Sequence, residues 1–401
     1  MDSEEVIQFF NNKNVKVVIS VPGRFHLFNL AQQLLKRGYL SQLITSYPKF
    51  EVVKYGIPRD KTDSIISKEI VQRGWQKIPI LRTYYNPQFL ILETFDRLAA
   101  RILKPCDIFV GASSASLKSL IVAKRLGATT IIERGSAHIL YQDKILKEEY
   151  EKFGVRLEPF QLPHPKIIEK ELNEYEEADY ISIPSLFVRR TFLDAGIPEE
   201  KLIHIPYGVD LAEFRQTPKT DDVFRVVYAG GMSLQKGVHY LLQAFTELNL
   251  PNSELLLVGG FSDEIKPFFD TFKGHYRWIG RVPQRKLASY YSQSSVFVLN
   301  SIQDGFGMVI IQAMACGLPI IATTNTGAED IVRGGQDGFI IPIRDVAGLK
   351  EKLLYLYENP EIRGAMGQSA KTRVLAGFTW DNYGDKMVKE YERILAVKNG
   401  V

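Results

Sequence analysis

Only two cysteines occur in 401 residues, and Cys106 and Cys316 both sit in apolar surroundings without the spacing of a metal site or a disulfide framework. Long apolar runs are missing too. None approaches the ~20 residues that span a bilayer, so no membrane crossing is expected. The opening stretch MDSEEVIQFFNNKN is acidic and lacks the basic flank and apolar centre of a secretory signal. These absences together predict a protein of the reducing cytoplasm. No G-x-G-x-x-G opens the first helix of either half, and no G-x-x-x-x-G-K-[ST] occurs, which removes the two commonest nucleotide-binding loops. Nothing in the sequence calls for a nucleic-acid partner.

What is present begins with size. A chain of 401 residues exceeds one ordinary core and suits two domains. Its composition, 45% hydrophobic and 24% charged, is that of a soluble globular protein. The net charge of +4 conceals an asymmetry: residues 13–134 hold 20 Lys and Arg against 8 Asp and Glu, while residues 135–205 lean acidic. Much of the basic charge lies in KEIVQRGWQKIPILRTYYNPQFLILETFDRLAARILKP, interleaved with Trp75, Tyr84, Tyr85 and Phe89. Such a surface suits anionic lipid headgroups or an acidic acceptor, or is simply a solvated face.

Short apolar runs alternate with amphipathic ones, the pattern of a parallel sheet covered by helices on both faces, and the pattern occurs twice. The first series runs from VKVVISVPG through DIFVGASSAS, TTIIERGSAH and DYISIPS. The second runs from FRVVYAGGMSLQKG through ELLLVGG, YRWIGRVP, SVFVLNS, PIIATT and GFIIPI. The expected fold is α/β with two doubly wound, Rossmann-like domains facing a cleft. The polar, turn-rich HIPYGVDLAEFRQTPKTDD reads as the linker, and FTWDNYGDKMVKEYERILAV as one long final helix. The boundaries read from this are 1–205 for the first domain and 206–379 for the second, with the C-terminal helix 380–401 returning to the first.

In such sheets ligands sit at the carboxyl ends of strands, where helix N-termini offer free amides and a positive dipole end. After the first strand of the second series, AGGMSLQKG places Gly230 and Gly231 for close backbone approach, Ser233 as a cap and Lys236 for a phosphate; Lys236 as a solvated helix residue is the plain alternative. Further on, SVFVLNSIQ reads as a strand, DGFG as a turn and MVIIQAMACG as a short helix. Asp304 then faces the cleft. Gly305 belongs to the same turn, and the amides of Phe306, Gly307 and Met308 point out of the helix start toward an anion or sugar hydroxyls, with Gln312 one turn along.

These segments resemble glycosyltransferase family 4, whose members are retaining enzymes of the GT-B fold. The resemblance runs from Val15 to about Tyr391. VPGRFHLFNLAQQLLKRGY is similar to the family's first glycine loop and helix, IPSLFVRRTFLDAGIPEEKLIHIPYGVDLAEF to the run into its linker, AGGMSLQKGVHYLLQAF to its G-x-x-S-x-x-K-G segment, and PIIATTNTGAEDIVRGGQDGFIIP to the part after its E-x7-E motif. The resemblance implies that Asp304 lies beside the transferred sugar and that Gln312 contacts the ribose hydroxyls of the nucleotide. Both depart from the family's glutamates: Asp is one methylene shorter, and Gln loses the charge that strengthens such bonds. Gly231 stands where many members carry an Arg, leaving Lys236 to hold the diphosphate.

In the first domain the family's cleft histidine has no direct match. His138 is taken for that role; the alternative is that His138 caps or packs locally and that Arg134 is the cleft residue, balancing the departing phosphate, with Ser136 close by. His26 is either a cleft residue or a structural one at a helix start. Gly23, Ser233, Lys236 and Arg134 are the groups aimed at the leaving diphosphate. Val282, with Arg281, is the backbone contact implied for the base, and uridine is the base expected. No metal and no cofactor are implied, since no Asp-x-Asp pair lies near a strand end. The donor is then a nucleoside diphosphate sugar and the acceptor a carbohydrate or lipid-linked hydroxyl. The setting is the cytoplasm, with the inner face of the cell membrane as a candidate surface. A non-catalytic partner of a sister enzyme is the other reading of the departures at 231, 304 and 312.

Overall fold

The computed structural model describes residues 15–66, 86–155 and 161–400. Trp75, Tyr84 and Tyr85 lie outside the described residues, so of the interleaved basic and aromatic stretch only the part from Asn86 onward is described, with Phe89 on the helix Gln88–Ile102. Strands β1 (Val17–Val21), β2 (Leu40–Thr45), β3 (Thr62–Ser64), β4 (Ile108–Ala112), β5 (Thr129–Glu133), β6 (Tyr180–Ile183) and β7 (Leu202–His204) form one sheet in the order β3-β2-β1-β4-β5-β6-β7. Strands β8 (Phe224–Ala229), β9 (Ser253–Val258), β10 (Arg277–Gly280), β11 (Val296–Leu299), β12 (Ile320–Thr323) and β13 (Gly338–Ile341) form a second in the order β10-β9-β8-β11-β12-β13. All pairings are parallel. The doubled α/β architecture expected from the alternating pattern is present. The pattern does not register β2, β3 and β7; β3 and β7 are only three residues long, too short for an alternation to show.

The reason these segments are strands is visible in their burial. β1 reads VVISV and β8 reads FRVVYA, and every residue of both is buried. Burial on both faces favours near-continuous β-branched and aliphatic runs, each such side chain contributing roughly 1.5–3 kcal/mol. Each sheet reverses its strand order once, between β1 and β4 in the first and between β8 and β11 in the second. Crevices open at those two points, beyond the carboxyl ends of the strands.

Residues 205–223 connect the sheets without strand or helix. The final helix, Trp380–Asn399, starts at a capping box in which the Thr379 side chain accepts from Asn382 N and the Asn382 side chain reaches back. It crosses to the first domain, where Asp381 meets Lys36 at 2.8 Å, Asp385 meets Arg37 at 2.5 Å and Glu392 meets Tyr39. The exposed ion pairs contribute little; the buried face of Tyr383, Met387, Tyr391 and Ile394 does the packing.

The two domains also meet directly. Glu149, fully buried on the helix Ile139–Lys152, contacts three groups of the second domain: His239 Nε2 at 3.2 Å, the Tyr240 hydroxyl at 2.8 Å and Arg344 Nε at 2.7 Å. Burial opposes its charge, but the hydrogen bonds from His239, Arg344 and Tyr240 outweigh that and hold the carboxyl below its usual range.

Candidate active site

The second domain builds its half from the loops after β8 and β11, on either side of the strand-order reversal. β8 ends at Ala229; Gly230 and Gly231 come next, and the Ser233 hydroxyl accepts from Lys236 N at 3.3 Å. That tight turn delivers the chain to the helix Val238–Leu248 and sends the Lys236 side chain across the reversal. Its Nζ lies 2.6 Å from Asp304 Oδ2. Both side chains are about a quarter exposed or less, so the ion pair floors a crevice open to solvent.

Asp304 does more than the sequence implied. Its other oxygen accepts from Gly307 N at 3.1 Å and Phe306 N at 3.4 Å. Two of the three amides expected to face a ligand are therefore turned onto the aspartate, as an Asp that opens a tight turn commonly arranges. Gly307 has φ 72, a conformation glycine adopts at little cost, and from it the helix Met308–Ala315 begins. Gln312 lies on that helix, 7% exposed, and its Oε1 is buried with no hydrogen-bond partner among the described residues. An unpartnered buried amide oxygen costs roughly 1–3 kcal/mol. Val282 lies just past β10 at the outer edge of the same strand-end row, half-buried.

The first domain closes on this half. A side chain on Gly305 would begin 2.0 Å from the Gly135 carbonyl oxygen and 2.6 Å from Ser136 Cα. The two loops touch there through backbone alone. Around the contact, Ser185 Oγ donates to the Gly305 carbonyl at 2.6 Å, Gln303 Nε2 donates to Ser136 Oγ at 2.7 Å, and Gln235 donates to Gln303 Oε1 at 2.8 Å.

The structure gives His138 the local capping role of the alternative reading, and turns Arg134 to partners other than those expected. His138 caps the helix Ile139–Lys152, its Nδ1 accepting from Leu140 N at 3.4 Å, and the residue is 3% exposed, its ring between Tyr175 and Phe192. Burial, reinforced by the positive charge of Arg134, lowers its pKa to about 4. Arg134 is itself buried and satisfied: its guanidinium meets Glu171 Oε1 at 3.0 Å, Gln142 Oε1 at 2.7 Å and the Ala137 carbonyl at 2.9 and 3.1 Å. These bonds hold its donors within the first domain. The sequence placed both correctly just beyond β5, but not which way they turn.

Beyond the ends of β1 and β5 lies a constellation that motif reasoning did not assemble. His26, the first residue of the helix His26–Lys36, places Nε2 3.0 Å from Glu133 Oε1 at the end of β5. Tyr207 from the linker lies 3.0 Å from the same Nε2, donates to the same Glu133 oxygen at 2.9 Å, and stacks on the imidazole with ring centres 4.2 Å apart. Phe306 of the closing turn packs edge-on against Tyr207 at 5.1 Å. Gly23 precedes this helix on the loop after β1. The signals in the sequence were His26, open as either a cleft or a helix-start residue, and a glutamate ending the buried strand TTIIE, a buried charge that needs partners.

Comparison with known proteins supplies the family. Residues 210–373 match the family described as Glycosyl transferases group 1. The capsular polysaccharide biosynthesis glycosyltransferase CapM of Staphylococcus aureus is 30% identical over 100% of this chain and 90% of its own length. A GDP-mannose-dependent alpha-(1-6)-phosphatidylinositol monomannoside mannosyltransferase of Mycolicibacterium smegmatis is 25% identical over 53% of this chain and 62% of its own. Against several curated relatives the match spans only about half of their length. Among solved structures, HepE of Anabaena in complex with UDP-glucose superposes with a TM-score of 0.65 over 94% of this chain and 98% of that one, at 15% identity, a likeness of fold. The fold is that of GT-B glycosyltransferases, and the chain belongs to the group 1 glycosyltransferases.

Proposed function

We propose that this protein is a retaining, metal-independent glycosyltransferase of family 4 that moves a sugar from a nucleoside diphosphate donor to a hydroxyl of a growing polysaccharide or glycolipid. The observation that carries the reading is the Lys236–Asp304 pair, 2.6 Å apart across the strand-order reversal of the second sheet. A diphosphate entering there meets Lys236 and the start of the helix Val238–Leu248, while Asp304 is freed to face the sugar. Gln312 Oε1, buried without a partner among the described residues, is assigned to the ribose, and the backbone at Val282 to the base. CapM supports a polysaccharide product and the mycobacterial relative a lipid-linked acceptor; HepE supports a uridine donor and the mycobacterial enzyme a guanosine one. Uridine is the base we propose. We take residues 1–205 with the C-terminal helix as the acceptor domain and 206–379 as the donor domain.

The deciding experiment incubates the protein with UDP-glucose, UDP-N-acetylglucosamine and GDP-mannose, with and without EDTA, and follows nucleoside diphosphate release. Release with one donor, unaffected by EDTA and giving a product of unchanged anomeric configuration, is the expected result. Release by none, together with no thermal shift from UDP or GDP, would end the reading. The lack of charge at Gln312 and Gly231 favours a second reading, a nucleotide-sugar-binding partner without turnover. A thermal shift without release separates that case.

Peripheral contact with an anionic membrane belongs to the same proposal. Among the described residues no helix is long and apolar enough to cross a membrane. Phe25, Phe50 and Val53 are exposed, however, with Arg24 over the Tyr55 ring and Lys54 over the Phe50 ring. Flotation with phosphatidylglycerol vesicles at low but not high salt is expected, and no flotation at either refutes it.

A further inference from the structure

We propose that Glu149 is a positioning residue for the transfer: from the first domain it sets the placement of the helix that leads out of the donor loop of the second. The location of its contacts is the first reason. Lys236 and Gly237 run directly into the helix Val238–Leu248, and His239 and Tyr240 stand in its first turn. Glu149 Oε1 meets that turn, 3.2 Å from His239 Nε2 and 2.8 Å from the Tyr240 hydroxyl. The inference rests on the proposed function, because it needs a diphosphate at this helix start.

The bonds around the carboxylate admit one arrangement. Tyr240 gives its single hydroxyl proton to Oε1, so His239 Nε2 carries its own proton toward the same oxygen, and Nδ1 is left buried without a hydrogen-bond partner among the described residues. Oε2 takes Arg344 Nε at 2.7 Å, from the loop after β13, a second loop at the carboxyl ends of the second sheet. Arg344 is held there at φ 64, a backbone region that residues with side chains rarely adopt. Lys152 and Phe153 complete the grip: Lys152 Nζ donates to the Tyr240 hydroxyl at 2.9 Å, and Phe153 packs edge-on against the His239 ring at 4.6 Å.

Apolar side chains of similar size commonly hold such a surface as well as a buried ion pair does, whereas a buried carboxylate is satisfied in one geometry and fixes the register of what meets it. The helix that carries Glu149 is also attached at both ends. Its 14 residues span about 21 Å. Before it, the loop of Gly135 and Ser136 touches Gly305 and Gln303; in its last turn, Glu149 and Lys152 hold His239 and Tyr240. One attachment leaves the domains free to rotate about it. Two set the direction in which Lys236 and the helix start face the crevice of the first sheet.

The test uses water as the acceptor, so the natural acceptor need not be known. For the wild type, E149Q, R344M and the double variant, nucleoside diphosphate release is followed against the concentration of the donor that the wild type turns over. Rates are counted per nucleotide-binding site, by calorimetric titration with the matching nucleoside diphosphate. E149Q keeps the shape but not the charge, and is expected to lower kcat about 10–100-fold, the cost of a displacement of about 1 Å, with KM and the diphosphate Kd within about threefold of wild type. R344M is expected to act in the same direction, and the double variant no more strongly than E149Q, because the two residues work as one unit. A role in stability alone lowers the melting temperature of these variants and leaves kcat per binding site within about twofold of wild type. That result overturns the inference and leaves the proposed function standing, as do effects that add in the double variant or a kcat lost only together with diphosphate binding. If E149Q does not fold, R344M decides on the same readout. No release by the wild type from any donor overturns both.

Discussion

Lys236 Nζ sits 2.6 Å from Asp304 Oδ2, across the strand-order reversal of the second sheet. The same lysine cannot hold both this carboxylate and a diphosphate at full strength, so donor entry exchanges one anion for another. K236A is expected to weaken nucleoside diphosphate binding about 10–100-fold, the value of one charge-assisted hydrogen bond. D304A is expected to bind the diphosphate at least as tightly as wild type while losing transfer. Calorimetric titration with UDP or GDP, beside a release assay, reads both; K236A binding at wild-type strength would place the diphosphate elsewhere.

Gln312 offers a buried oxygen with nothing to meet among the described residues. Q312E puts an unpaired charge in the same place, so the ligand-free protein is expected to unfold at a lower temperature. If the ribose hydroxyls bind here, the charge strengthens those bonds, and the stabilisation by nucleoside diphosphate is expected to grow while activity is kept. Loss of nucleotide binding in Q312E would remove this residue from the ribose.

Gly305 is a point of backbone-to-backbone approach between the domains. G305A puts a methyl 2.0 Å from the Gly135 carbonyl oxygen, where no side chain can yield. The domains are expected to separate there, raising the radius of gyration in solution scattering and lowering transfer at least roughly tenfold, since closure excludes water and completes the site. An unchanged scattering curve with full activity would show that the contact is dispensable.

His138 makes a pH prediction. Its pKa falls from 6.5 to about 4 on burial, so between those values the unfolded chain binds a proton that the folded one does not. Stability therefore falls as pH drops through that window, by up to about 3 kcal/mol at about 1.36 kcal/mol per pH unit. His239, whose pKa burial also lowers despite Glu149, acts in the same direction. H138N keeps a capping side chain but not the titration or the ring between Tyr175 and Phe192. Denaturant unfolding at pH 7 and pH 5 is expected to show lower stability and a shallower pH dependence, with transfer retained at pH 7. An activity loss at unchanged stability would return His138 to the cleft.

The fold was readable because its signal is local. Alternating buried runs such as VVISV and FRVVYA are strands wherever helices cover both faces of a sheet. The loops after β8 and β11 were readable for the same reason: glycine, serine, lysine and aspartate there have turn and capping roles set by neighbours a few residues away. The sequence by itself thus determined two doubly wound domains and the segments that line the cleft.

Orientation was decided by tertiary structure. Arg134 and His138 lie four residues apart beyond one strand, yet both turn inward, because Glu171, Tyr175 and Phe192 approach from helices later in the chain. Phe306 N and Gly307 N turn onto Asp304 rather than outward. The pairing of His26 with Glu133 spans 107 residues and that of Tyr207 with His26 spans 181; no local periodicity records such distances. A buried charge at the end of a strand states only that partners must exist, and the packing of the two domains supplies them.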